Sequence, residues 1–250
     1  MEPNNANSVS LNKYIADTGV CSRREADKLI KAGKVKINGR LAISGNRVME
    51  GDRVTLNGKP LREKPTPLYI AFHKPVGVVC TTDKREKDNI IDFINHPKRL
   101  FPIGRLDKAS EGLIFLTNDG DIVNKILRAH NKKEKEYIVT VRQKITPDFI
   151  RKMSNGVPIL DTVTKKCKVE QLSSKTFKII LTQGLNRQIR RMCEYFNYDV
   201  VKLLRVRIMH VHLGKLKVGT WRPLTPKELS TLHKALEQST KTSNYAKKSS

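Results

Sequence analysis

Acidic residues are scarce in this sequence: 24 Asp and Glu face 49 Lys and Arg, which leaves a formal net charge of +25. A field of that sign attracts polyanions and releases counterions from phosphate backbones, so nucleic acid is the first class of partner to weigh. Long apolar runs are missing too. Stretches such as Leu113 to Leu116 fall far short of the roughly 20 residues that span a bilayer, so no membrane segment is expected. The opening MEPNNANSVSLNKY lacks a basic region, an apolar core and a small-residue cleavage site, and a cytosolic setting is therefore expected. The four cysteines, at 21, 80, 167 and 193, form no C-x-x-C pair. That speaks against a disulfide framework or a zinc knuckle and leaves reduced packing residues. His210-Val-His212 is explained by alternation along a strand better than by metal ligation. No metal, no cofactor and no membrane partner are expected. Without a long heptad pattern or an exposed apolar helix, the expected state is a monomer.

What is present divides the chain. Leu11 to Gly33 reads as two short helices split by Gly19, the second opened by Ser22-Arg-Arg-Glu25, a capping box. Val35 and Ile37 then alternate with lysines up to Asn38-Gly39, Leu41 and Ile43 alternate again, and Val54 to Leu56 runs into Asn57-Gly58. These predict a small helix-helix-hairpin module over residues 8–60. The stretch Lys59 to Pro67 holds three prolines and four charges and resists both helix and strand; the linker is placed at 61–67. From Leu68 strands predominate: Leu68 to Phe72, Val78 to Thr81, Gly112 to Thr117, Tyr137 to Val141, Val163 to Leu172, Thr176 to Leu181 and Val201 to Ile208. Helices are expected at Asp121 to Arg128, from Thr146-Pro147 to Asn155-Gly156, at Asn186 to Phe196, and from Thr225-Pro226 onward. Strands that outnumber helices without strict alternation predict an α+β domain over 68–238, with a mixed, mostly antiparallel sheet flanked by helices. Residues 239–250 are polar and are expected to be disordered.

Three constellations could carry chemistry. Arg23, Arg24, Lys28, Lys31, Lys34 and Lys36 gather around the second helix and its hairpin, opposite an apolar stripe of Ala26, Leu29 and Ile30. The stripe is either a solvated face or a phosphate-docking surface for folded RNA. Asp107 lies in a turn-rich loop just before the apolar strand Gly112 to Thr117, where a core strand could hold its carboxylate at a cleft. It could equally cap a helix or pair with Arg105 or Lys108. In Asn186-Arg187-Gln188-Ile189-Arg190-Arg191-Met192, helical spacing buries Ile189, Met192, Cys193 and Phe196 and predicts that Arg187, Arg190 and Arg191 point outward. Those guanidiniums could fix a carboxylate or contact phosphates, or Arg190 could pair with Glu194 at i+4 in an exposed bridge. Tyr137, at the start of a strand, is a core residue or a platform for a splayed-out base.

The segment LNKYIADTGVCSRREADKLIKAGKVKINGRLAISGNRVMEGDRV resembles an S4 RNA-binding domain. Behind it, HKPVGVVCTT (73–82), GRLDKASEGLIFLTNDGD (104–121), KEYIVTV (135–141) and QGLNRQIRRM (183–192) follow in an order similar to the pseudouridine synthases of the RsuA branch. The resemblance covers roughly residues 8–235. It implies a cofactor-free isomerase that converts a uridine of large-subunit ribosomal RNA to pseudouridine after flipping it out of its helix, and leaves transfer RNA open as a second substrate. It further implies that Asp107 is the catalytic acid, that Arg190 pairs with it, that Tyr137 stacks on the target base, and that Arg105 fills the gap left by the extruded nucleotide. The expected RNA-binding set is Arg105, Leu106, Lys108, Arg187, Gln188 and Ile189, with Arg23, Arg24 and Lys28 in the first module. Two other classes compete: a non-catalytic RNA adaptor, and a glycoside hydrolase using Asp107 with Glu111, for which a strongly basic chain is an odd setting.

Overall fold

A computed structural model describes residues 8–127 and 133–246. The chain forms two compact units: one ends at Leu68 and takes in Asn118–Gly120, and the other begins at Tyr69 and holds the remainder.

The first unit contains β1 (Val9–Ser10), α1 (Leu11–Asp17), α2 (Arg23–Lys31), β2 (Val35–Ile37), β3 (Arg40–Leu41), β4 (Arg47–Val48), β5 (Val54–Leu56) and β6 (Lys59–Pro60). Ser22 caps α2 by accepting from the Glu25 amide at 3.1 Å; among the described residues the return bond from the Glu25 carboxylate is not made, so half of the expected box forms. Asn38-Gly39 and Asn57-Gly58 both adopt positive φ, the requirement of the tight turns that join β2 to β3 and β5 to β6. Leu11, Ile15, Ala26, Ile30, Val35, Val48 and Val54 close the core. Lys59 and Pro60, expected to resist strand, form an edge strand on β5, a place where proline's missing amide does no harm. Residues 61–67 carry no helix or strand.

The second unit contains β7 (Tyr69–Lys74), α3 (Ile90–Ile94), β8 (Phe101–Ile103), β9 (Glu111–Thr117), α4 (Gly120–Leu127), β10 (Lys135–Val141), α5 (Pro147–Ser154), β11 (Pro158–Ile159), β12 (Thr162–Val163), β13 (Lys168–Gln171), β14 (Thr176–Leu181), α6 (Gln188–Tyr195), β15 (Val200–Ile208), β16 (Val211–His212), β17 (Trp221–Pro223) and α7 (Pro226–Ala246). Its main sheet runs β13-β14-β10-β15-β9-β7-β17, with β16 added on β15 and β8 on β9. The β9–β15 pair is parallel and its other strand pairs are antiparallel, which is the mixed α+β sheet expected. In β9, Leu113, Ile114, Phe115 and Leu116 are at most 1% exposed. Each such side chain contributes about 1.5–3 kcal/mol by burial, and together they make β9 a rigid base for the loop that precedes it.

Several local expectations need correction. Val78 to Thr81 is a loop with a single bridge, Val79 to Asn89, because the turn at Gly77 (φ +93°) redirects the chain and its amides bond other loops. Val163 to Leu172 is broken into β12 and β13, since Thr164 turns inward and its hydroxyl accepts from the Val157 amide. The short helix α3 went unread although Asn89 caps it by accepting from the Asp92 amide. The expected helix at 121–128 appears as α4, with Arg128 outside the described residues. Helix α7 continues to Ala246, into the stretch expected to be disordered, because no proline or glycine follows Pro226 to interrupt it; residues 247–250 lie outside the described residues. No helix among the described residues is long and apolar enough to cross a membrane.

Candidate active site

Strands β8 and β9 pair antiparallel, Ile103 opposite Phe115, and the loop between them, 104–110, carries Asp107. That loop is tied down along its length. The Leu106 amide donates to Cys80 Sγ at 3.4 Å, the Gly77 amide to the Lys108 carbonyl at 2.8 Å, and the Ser110 amide to the Asp107 carbonyl at 3.0 Å. Beneath it, Lys74, fully buried, donates from Nζ to the carbonyls of Pro75 and Ser110 at 2.7 and 2.8 Å. Burial lowers the Lys74 ammonium pKa, and the nearby Asp107 charge works against that. Gly112 is obligatory here: at φ +120° a Cβ would lie 2.4 Å from the Arg205 carbonyl oxygen, so only glycine lets β9 meet β15 this closely. The acid is thus presented half-buried from a fixed loop, and neither of the bland partners holds it. Lys108 reaches Asp88 instead, at 2.8 Å, and among the described residues Asp107 makes no ion pair.

Arg190 departs from the expected outward face. Only 8% exposed, it turns into the protein, where Nη2 donates to the Ala109 carbonyl at 2.9 Å and Nη1 to the Val200 carbonyl at 3.2 Å. Its Nε is buried without an acceptor. Burial lowers its pKa and the charge of Asp107 opposes that shift, which places guanidinium and carboxylate in each other's field. Helical amphipathicity failed for this residue because Arg190 meets the carbonyl of Ala109 in the acid's loop rather than water, while Arg187 and Glu194 of the same region stay exposed. Arg187 sits at the helix start in a left-handed conformation, and it, rather than Arg190, meets Glu194, at 3.6 Å. Arg191 folds back on the Asn186 carbonyl. Leu106, Gln188 and Ile189, expected to contact RNA, are 8%, 5% and 4% exposed, so they are packing residues at the cavity edge. The Gln188 side chain accepts from the Leu185 amide and so shapes the turn into α6.

One cavity of about 980 Å³ draws these residues together: Asp107, Tyr137 and Arg190 line it with Arg105, Leu106, Lys108, Arg187, Gln188 and Ile189. It lies at the upper end of the roughly 300–1,000 Å³ of small-molecule sites. Tyr137 stands on β10 opposite Arg205 of β15 and Ile179 of β14, and its ring is a buried wall of the cavity. Among the described residues that line the cavity, Asp107 is the only carboxylate. Glu111, its supposed partner in a glycosidase, is engaged by His73 at 3.1 Å and Lys202 at 3.6 Å and lies off the wall. Among the described residues, no three of His, Cys, Asp and Glu gather as metal ligands. His210 Nε2 donates to the Glu228 carbonyl at 2.8 Å. Cys193 and Cys167 are pushed up to about 12 and about 11 by burial, as inert packing thiols are.

Sequence reasoning missed three basic residues of the cavity wall, Lys133, Lys135 and Arg205. The signal for Lys135 was its spacing from Tyr137, which puts the two on one face of β10. Arg23, Arg24 and Lys28 are exposed on α2 of the first unit and, among the described residues, take part in no ion pair.

Comparison with known proteins points one way. A family model described as RNA pseudouridylate synthase matches residues 68–195, and an S4 domain model matches residues 9–54. The chain is 59% identical over 234 residues to the dual-specificity RNA pseudouridine synthase RluF of Escherichia coli K12, covering 93% of this chain and 81% of that protein. It is 36% identical over 231 residues to the ribosomal large subunit pseudouridine synthase B of Bacillus subtilis, covering 89% and 94%. A crystal structure of a pseudouridylate synthase, 30% identical, superposes with a TM-score of 0.66 over 90% of this chain and 99% of that one.

Proposed function

The chain belongs to the RsuA family of RNA pseudouridine synthases with an N-terminal S4 domain, and on that premise we propose that Asp107 is the carboxylate that drives its isomerisation. The observation that carries this is a carboxylate that stands alone among the described residues lining a basic cavity, with Arg190 behind its loop and the Tyr137 ring on the same wall. In the reaction the bond from uracil N1 to ribose C1' breaks, the base turns, and a C5 to C1' bond replaces it. The C5 proton is lost, N1 gains one, and no atom is added overall. A positioned carboxylate can open this sequence by attacking C1' or by taking a proton from C2'. Arg190 holds the Ala109 carbonyl and lends positive field to the acid. Tyr137 offers its ring to the base, and Arg105 occupies the stack that the base leaves.

A uridine inside a helix hides both C1' and C5, so extrusion into the cavity is required and its cost is offset by contacts elsewhere. We assign those contacts to residues 8–60, with Arg23, Arg24 and Lys28 on phosphates, and to Arg105, Lys108 and Arg187 at the cavity. Residues 61–67 are the linker and 68–238 the catalytic domain. The substrate is a uridine of large-subunit ribosomal RNA with transfer RNA as a second class, and the enzyme works as a cytosolic monomer without a cofactor. The test is to map pseudouridines in ribosomal and transfer RNA from cells lacking the gene, then add the purified chain back to that RNA. Loss of discrete sites and their restoration by the chain alone are expected; unchanged maps, or restoration only with an added cofactor, would contradict the reading.

A further inference from the structure

Lys135 and Tyr137 are two residues apart on β10 and so share a face, and Arg205 on β15 is the cross-strand partner of Tyr137. All three line the cavity, with Lys133 beyond them. Arg205 is 3% exposed; its Nε donates to the Leu113 carbonyl at 2.6 Å, and its Nη2 is buried without an acceptor. Lys135 is half-buried, and its ammonium makes no hydrogen bond or ion pair among the described residues. Its ammonium lies over Gly184, 3.9 Å from where a Cβ would stand there. Burial pushes the pKa of Lys135 down, and the charges of Arg205 and Lys133 push it further.

Cations held this way, with no carboxylate of their own, call for an electron-rich ligand. Phosphates are served by the exposed Arg105, Lys108 and Arg187. The buried cations instead share the sheet face that carries Tyr137, where the flipped base comes to rest. When the N1 to C1' bond breaks, its electron pair leaves with the uracil, and the negative charge spreads onto the two carbonyl oxygens. We propose that Lys135, supported by Arg205, donates to a uracil carbonyl oxygen and stabilises the base as an anion while it is detached from the sugar. Lys135 stays protonated throughout. The charge passes to Asp107 when C5 bonds to C1': the carboxylate leaves C1' if it had attacked there, or returns to C2' the proton it had taken; the C5 proton then leaves to solvent and N1 takes one up. Fixed donors aimed at charge that develops only during reaction act on turnover rather than on binding. The inference rests on the function proposed above.

Its test compares wild type with Lys135→Met and Lys135→Arg by single-turnover tritium release from large-subunit ribosomal RNA transcribed with 5-tritiated uridine, alongside filter binding of the same RNA and thermal unfolding. Expected is a rate about 100-fold lower for Lys135→Met, with RNA affinity within about twofold and unfolding unchanged, and recovery of most of the rate by Lys135→Arg, which restores charge. Three results would overturn it: a wild-type rate in Lys135→Met; an affinity loss equal to the rate loss with a shallower salt dependence, the mark of a phosphate contact; or Lys135→Arg as slow as Lys135→Met at wild-type stability. Wild-type turnover by Lys135→Met sinks this proposal alone. A wild-type chain that releases no tritium from ribosomal or transfer RNA sinks the proposed function and this inference with it.

Discussion

The basic residues of α2 and those around the cavity are the same two amino acids in opposite circumstances. Arg23, Arg24 and Lys28 are exposed, hydrated and free to meet whatever phosphate comes near, so their contribution is long-ranged, adaptable and screened by salt. Lys74, Arg190 and Arg205 are buried and held by backbone carbonyls of Pro75, Ser110, Ala109, Val200 and Leu113. Buried charge costs desolvation and is tolerated only when those bonds are made, in return fixing geometry to within a hydrogen-bond length. On the function proposed above, net charge brings the RNA to the protein, while the few desolvated cations shape the cavity that holds Asp107.

The sharpest way to break the comparison is Arg190→Met. Removing a buried cation that bonds the Ala109 and Val200 carbonyls should destabilise the protein by about 3 kcal/mol and lower turnover at least 100-fold, read by chemical unfolding and by tritium release; a folded variant with full activity would put Arg190 on the level of a surface residue. Next is the triple change Arg23→Ala, Arg24→Ala and Lys28→Ala. It should leave unfolding and the rate at saturating RNA unaltered, weaken binding, and flatten the slope of affinity against salt by about 0.7 per lost phosphate contact; an unaltered slope removes the docking role.

A smaller effect sharpens the contrast from within the surface class. Glu228 pairs with both Arg222 Nη atoms at 2.7 and 2.8 Å and closes the capping box of α7 on the Thr225 amide. The Arg222 hydrogen bond, with help from Thr225, lowers its pKa from 4.5 to about 2. A depressed carboxylate stabilises the fold above its unfolded pKa and loses that contribution as pH falls toward the folded one. The difference in melting temperature between wild type and Glu228→Gln should therefore be full at neutral pH, shrink below pH 4.5 and vanish near pH 2. A difference that persists unchanged to that pH would mean that packing, not charge, holds the helix start.

What could be read from sequence follows the range of the interactions involved. The Ser22 cap and the two Asn-Gly turns depend on residues three or fewer apart, and these were legible. The position of Asp107 was legible too, because a turn-rich loop ahead of the apolar run Leu113 to Leu116 fixes it locally. The direction of Arg190 was not. Its partners, Ala109 and Val200, come from a distant loop and a neighbouring strand, and helical periodicity cannot tell a polar side chain that meets water from one that meets a backbone carbonyl. Arg205 stayed hidden for a related reason. Its place beside Tyr137 depends on the β10–β15 register and its bulge at Glu136/Tyr137, and on the long-range parallel pairing of β9 with β15, neither of which leaves a local trace.

The most direct measurement is single-turnover pseudouridine formation by Asp107→Asn, which keeps the side chain's size and removes its charge, with RNA affinity measured on the same preparation. The expected result is affinity within about twofold of wild type and no detectable tritium release. Turnover approaching that of the wild-type chain would contradict the claim that this one carboxylate carries the reaction.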